Sequence, residues 1–171
     1  AIIVYSTVKI RTSNIAGLRD VTTGGWTLGP DLDPFLFLRW AKYIVENGSL
    51  FEIDYMRYVP IGYDTSRELN LHTYLIAWFH HIASFFGSES VTQSAALYPA
   101  FIFGLTVIVF FFLTRKIFID HMGKSGANIV GLIASFFLSV VPSILPRTVA
   151  GIPEKESSGF LLIFLSFYLF L

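Results

Sequence analysis

Cysteine is absent from the 171 residues. That excludes disulfide staples and thiolate metal sites, and leaves the redox compartment open. Charge is scarce: Asp, Glu, Lys and Arg make up 14% of the chain, against about 25% in average soluble proteins. The charges cancel to a net of zero, so no global field draws in nucleic acid, and no basic run carries interleaved aromatics. The four His are too scattered for a zinc motif. No initiator Met or charged leader precedes the apolar start Ala1–Val8, which reads as the tail of a helix and not as a signal peptide. The last run, Phe160–Leu171, is apolar as well. Together the two ends predict a piece of a larger polytopic protein.

Apolar sequence dominates what is present. Hydrophobic residues are 54% of the chain, with 18 Phe, and the mean hydropathy is +0.64. Residues 92–114 and 126–146 are each long and apolar enough to cross a bilayer. The short segment between them holds Arg115, Lys116 and Lys124 against Asp120, the bias of a cytoplasmic loop. The predicted fold is all-α and polytopic. Residues 1–8 end a first span, and 9–91 form a long external loop. Spans 92–114 and 126–146 follow, then an external loop over 147–156, and residues 157–171 start another span.

Two interfacial helices are expected in the first loop. Asp33-Pro34 starts one over 34–47, with Asp as N-cap and Pro where its missing N–H costs nothing; Asn47-Gly48 stops it. The other covers 69–86, where apolar residues recur at helical spacing but Asn70, His72, His80 and His81 interrupt them. An interfacial 69–86 returns the chain to its starting face after two crossings, so that Asp33 and Glu154 meet outside. A spanning 69–86 would part them. The intervening 49–67, with Asp54, Arg57, Asp64 and Arg67, reads as a wet loop.

Three carboxylates then become candidates for chemistry: Asp33, Glu154 and Glu156, beside Arg147. Interfacial acids are costly unless paired or metal-bound, and a hard divalent cation prefers oxygen ligands. In extended backbone Glu154 and Glu156 face one side while Lys155 faces away. Local readings compete. Asp33 serves equally as a helix cap, the Glu pair as helix-start acids favoured by the macrodipole, and Arg147 as a snorkelling side chain.

These residues resemble the catalytic subunit of oligosaccharyltransferase, most closely its archaeal single-subunit members. The resemblance rests on Asp33, Pro34, Phe35 and Arg39 in the first loop, and on Arg147, Gly151, Glu154 and Glu156 in the second. It covers roughly residues 28–171. It implies a multi-span glycosyltransferase of GT-C type that moves an oligosaccharide from a lipid phosphate or pyrophosphate carrier to Asn in Asn-x-Ser/Thr. It further implies Asp33 and Glu154 as ligands of Mn²⁺ or Mg²⁺, Glu156 as a ligand or its neighbour, and Arg147 as a cation orienting the carboxylates. The site would face the extracytoplasmic or lumenal side. The pattern also departs from the family: Glu154 follows Pro153 where an Asp after an aromatic is usual. The later external-loop acid and the C-terminal domain with Trp-Trp-Asp are missing, and none of Trp26, Trp40 and Trp78 has a Trp neighbour. The chain alone is therefore expected to be inactive. Two alternatives stay open: a mannosyl- or aminoarabinosyl-transferase of the same architecture, and a transporter or structural membrane subunit.

Overall fold

The computed structural model describes residues 1–171. Five α-helices carry the fold: α1 (Ile2–Arg11), α2 (Asp33–Asn47), α3 (Leu71–Phe85), α4 (Val91–Val140) and α5 (Lys155–Phe170), with one short antiparallel pair, β1 (Ile53–Asp54) and β2 (Tyr63–Asp64). Helix α4 is long and apolar enough to cross a membrane, yet it is not straight. Gly123 leaves helical geometry at φ 66° and ψ 176°, a conformation that glycine reaches without a Cβ penalty. The helix folds back there into two antiparallel arms. Arg115 Nε donates to Asn128 Oδ1 across them at 2.8 Å, and Gly131 lies so close to Phe111 that an added Cβ would sit 3.0 Å from its ring.

The expected loop over 115–125 is thus helical on both sides of a single glycine pivot. Its Ile117, Phe118 and Met122 continue the helical pattern, and its charges project without breaking the backbone ladder. The second arm also stops earlier than the expected 146, at Val140. Pro142 disfavours the α region for the residue before it, and Val141 is accordingly extended at φ −58° and ψ 119°.

Helices α1 and α5 complete a bundle with the two arms. Gly104 of the first arm admits Val8 of α1, whose Cγ2 would lie 3.1 Å from an added Cβ. Phe103 and Phe110 meet Phe160 and Phe164 of α5 edge-on or tilted. Outward, Ile129, Phe136, Phe137, Phe167 and Phe170 are exposed, large apolar side chains of the kind that membrane contact covers.

At the end away from Gly123, α2 and α3 pack over the start of α4. Phe37, Leu38, Ala41 and Ile44 of α2 join Ile76 and Ala77 of α3 and Ala95, Ala96 and Tyr98 of α4 in one buried core. Helix α2 begins at Asp33 with Pro34 next, and ends at Gly48 in left-handed geometry (φ 81°), within a residue of the expected bounds. Asp33 is not the expected N-cap, however: Leu32 stands there, Asp33 is already helical, and no side chain caps the helix start. The reading of 49–67 as wet is corrected at two residues, Asp54 and Thr65, both buried. Asp54 is 1% exposed and is gripped by Arg39, whose Nη1 donates to Oδ1 at 2.8 Å, and by Trp40 Nε1, which donates to Oδ2 at 2.9 Å.

Candidate functional site

The two motif loops are joined through their backbones. Gly29, just before the first motif, donates its N–H to Gly151 O at 2.8 Å, and Gly151 N–H donates to Ala96 O at 2.8 Å. Gly151 holds φ 87°, and a Cβ there would lie 2.7 Å from Leu18 Cδ2 and 3.1 Å from Gly29 N. Replacing Gly151 by Ala is expected to cost roughly 1–3 kcal/mol through left-handed strain and crowding, read as a lower melting temperature of the detergent-solubilised protein. From the other side, Arg11 of α1 is fully buried and donates to Thr148 Oγ1 and Ser139 O, each at 2.9 Å. Its carbonyl accepts from Ala150 N at 2.7 Å.

That scaffold brings Asp33, Arg147, Glu154 and Glu156 to one cleft of about 490 Å³, shared with Phe37, Lys155, Gly159, Phe160 and Ile163. Glu154 is the buried acid of the set, its side chain 5% exposed where that of Arg147 is 51%. Arg147 Nη1 donates to both Glu154 oxygens, at 2.8 and 2.6 Å. The same guanidinium reaches Asp31 at 3.7 Å, so two acids share one cation. Burial pushes the Glu154 carboxyl above its ordinary value, the Arg147 hydrogen bonds oppose that, and Asp31 and Glu156 add to it. Removing the opposing group is expected to raise the carboxyl further. Arg147→Leu should therefore move the acidic limb of any activity that needs the Glu154 carboxylate to higher pH, measured as a pH–rate profile.

Two details differ from expectation. Lys155 does not face away: Lys155 and Glu156 form the first turn of α5, with extended Glu154 as its N-cap, and Lys155 also lines the cleft. Its Nζ donates to Glu68 Oε2 at 2.8 Å, tying the second loop to the first. Arg39, although part of the first motif, turns from the cleft to Asp54. The acids share the cleft without closing on one point, since no three His, Asp or Glu side chains are grouped closely enough to hold an ion. Asp31, Glu68 and Lys155 were not legible as site residues, because each owes its place to a partner far along the chain. For Asp31 there was one signal, its spacing of two from Asp33.

A family model described as oligosaccharyl transferase STT3, N-terminal, matches residues 1–171. The chain belongs to the STT3 family. Among curated proteins, it is 26% identical over 135 residues to the dolichyl-phosphooligosaccharide-protein glycotransferase of Methanococcus voltae, an alignment covering 72% of this chain and 14% of the relative. The STT3 chain described here thus spans a small part of that relative's length. Within it, the segments that carry Asp33 and Glu154 fold onto one another.

Proposed function

We propose that this STT3 chain contributes the acidic part of the active site of a multi-span membrane glycosyltransferase. That enzyme moves an oligosaccharide from a lipid phosphate or diphosphate carrier to the side-chain amide of Asn in Asn-x-Ser/Thr. The observation that supports this most is the shared cleft of Asp33, Glu154, Glu156 and Arg147, built from two loops more than a hundred residues apart and lying at one end of an apolar bundle. The basic residues Arg115, Lys116 and Lys124 lie near the Gly123 pivot at the other end, which by charge bias is cytoplasmic; the cleft then faces the extracytoplasmic or lumenal side. The outward Phe and Ile side chains meet lipid, and α2 and α3 lie at the interface.

The donor set is all carboxylate oxygen, the chemistry of Mn²⁺ and Mg²⁺ sites. Asp33, Glu154 and Glu156 line the cleft without being grouped closely enough to hold an ion as they stand, so they would hold one only after drawing together in the complete protein. When bound, it acts as a template and stabilises charge that develops on the phosphate leaving group. The chain's own residues have separate tasks. A carboxylate at Asp33 or Glu154 accepts hydrogen bonds from the N–H groups of the acceptor amide, weakening the resonance that makes this nitrogen a poor nucleophile. Arg147 orients Glu154 and balances its charge. Phe37, Phe160 and Ile163 give the cleft an apolar wall that keeps water from the reacting groups.

The test is glycopeptide formation by the complete protein, given lipid-linked oligosaccharide and an Asn-x-Thr peptide, with and without Mn²⁺. The proposal expects product that depends on the ion, and a loss on the order of a hundredfold or more in Glu154→Gln. Ion flux in proteoliposomes with no glycopeptide would instead favour a transporter. Wild-type turnover in Glu154→Gln would favour a related transferase that relies on the first-loop acid alone.

A further inference from the structure

Behind the cleft wall lies a histidine that the proposed chemistry does not use. His72, in the first turn of α3, is 5% exposed. Its Nε2 is 2.9 Å from Pro153 O and its Nδ1 is 2.8 Å from Ser158 Oγ. Ser158 Oγ in turn lies 2.7 Å from Tyr98 Oη. The directions of these bonds follow from what each group can do. The Pro153 carbonyl only accepts, so Nε2 carries the proton. Burial pushes the imidazole down to about 4, so it is neutral at ordinary pH and Nδ1 accepts. Ser158 therefore donates to Nδ1, and Tyr98 donates to Ser158. Every polar atom of the ring is used.

The groups that His72 grips bracket the acids. Pro153 precedes Glu154, and Ser158 lies one helical turn beyond it, on the first turns of α5 with Glu156 between. Phe37, which lines the cleft, packs edge-on against the imidazole with ring centroids 5.0 Å apart. We propose that His72 is a positioning residue for the site: through Pro153 and Ser158 it sets where the Glu154 and Glu156 carboxylates stand relative to Asp33. A buried pair of directional hydrogen bonds suits that task better than an apolar contact, because it fixes the backbone carbonyl next to Glu154 in both distance and direction. The inference rests on the proposed role of the acids, and it concerns a residue that touches neither substrate nor ion.

The experiment uses the complete protein with Mn²⁺, an Asn-x-Thr peptide and lipid-linked oligosaccharide. It compares His72→Phe, His72→Gln and Ser158→Ala, with Glu154→Gln as reference. Phe keeps the ring but neither bond, whereas Gln keeps a donor for Pro153. The expected result is a kcat at least tenfold lower in His72→Phe with peptide KM unchanged, and Mn²⁺ affinity lowered about tenfold, as when a group supporting a metal ligand is removed. His72→Gln should recover kcat to within about threefold of wild type. Equal impairment of Phe and Gln would overturn the inference, as would a loss seen only in KM. If His72→Phe does not accumulate, Ser158→Ala decides: a several-fold lower kcat with unchanged KM supports the inference, and a wild-type kcat overturns it. Failure of the underlying reading looks different, because Glu154→Gln itself would then turn over normally, whatever the His72 variants do.

Discussion

Asp33→Ala in the complete protein is expected to abolish glycopeptide formation, by a factor on the order of a thousand, while expression and folding stay near normal. The expectation follows from what Asp33 does and does not touch. It opens α2 beside Pro34, at a helix start where the backbone is held by Leu32 O accepting from Phe35 N at 3.1 Å. It takes part in none of the salt bridges that tie the loops together, which run through Asp54, Glu68, Asp64, Asp31 and Glu154. Its carboxylate faces the cleft. Losing it removes at most the modest stabilisation of an acid at a helix N-terminus, about 0.3–1 kcal/mol. A transition-state role is worth several times more. Side-by-side turnover and melting curves separate the two, and undiminished turnover would remove Asp33 from the mechanism.

The second large effect is on stability. Asp54→Ala is expected to destabilise the folded protein by roughly 2–4 kcal/mol. Breaking a buried ion pair costs about 3–5 kcal/mol, and the value is discounted here because the Arg39 side chain is 31% exposed and regains some hydration. Trp40, fully buried in the core, also loses the acceptor for its indole N–H. Burial raises the proton affinity of Asp54 most, yet hydrogen bonds from Arg39, Trp40 and Met56 N together outweigh it, and the carboxyl is held below its usual 3.8. The sign follows: this contribution is full above the unfolded value and is lost as pH falls through the lower folded value. Thermal melts of the detergent-solubilised protein should show a gap between wild type and Asp54→Ala that is wide at pH 6 and narrows in acid. A gap independent of pH would mean that shape at position 54, not charge, stabilises the loop.

How much of this was legible in the sequence depends on how local the determinant is. Asp33-Pro34 and Asn47-Gly48 marked the ends of α2 to within a residue, because Pro at a helix start and Gly at its stop act within one turn, although Asp33 itself makes no capping bond. The α4 arms were legible from their apolar length. Their junction was not, because charged residues at 115–124 suggested a loop although their spacing is compatible with helix, and one glycine suffices for the reversal. The burial of Asp54 could not be read from its neighbours, since its partners Arg39 and Trp40 stand 15 and 14 residues away. Lys155 does not follow the alternation of extended chain because it opens helix α5. His72 was hidden for the strongest reason: its partners Pro153 and Ser158 are 81 and 86 residues downstream, and only the tertiary fold brings them together.

The most direct measurement is a Mn²⁺ titration of the complete protein by electron paramagnetic resonance, comparing wild type with Asp33→Asn and Glu154→Gln. One ion bound per wild-type chain, weakened at least tenfold by either substitution, is the predicted result, because acids from both loops must then serve a single centre. Unchanged Mn²⁺ affinity in either variant would mean that the two loops meet in space without sharing an ion.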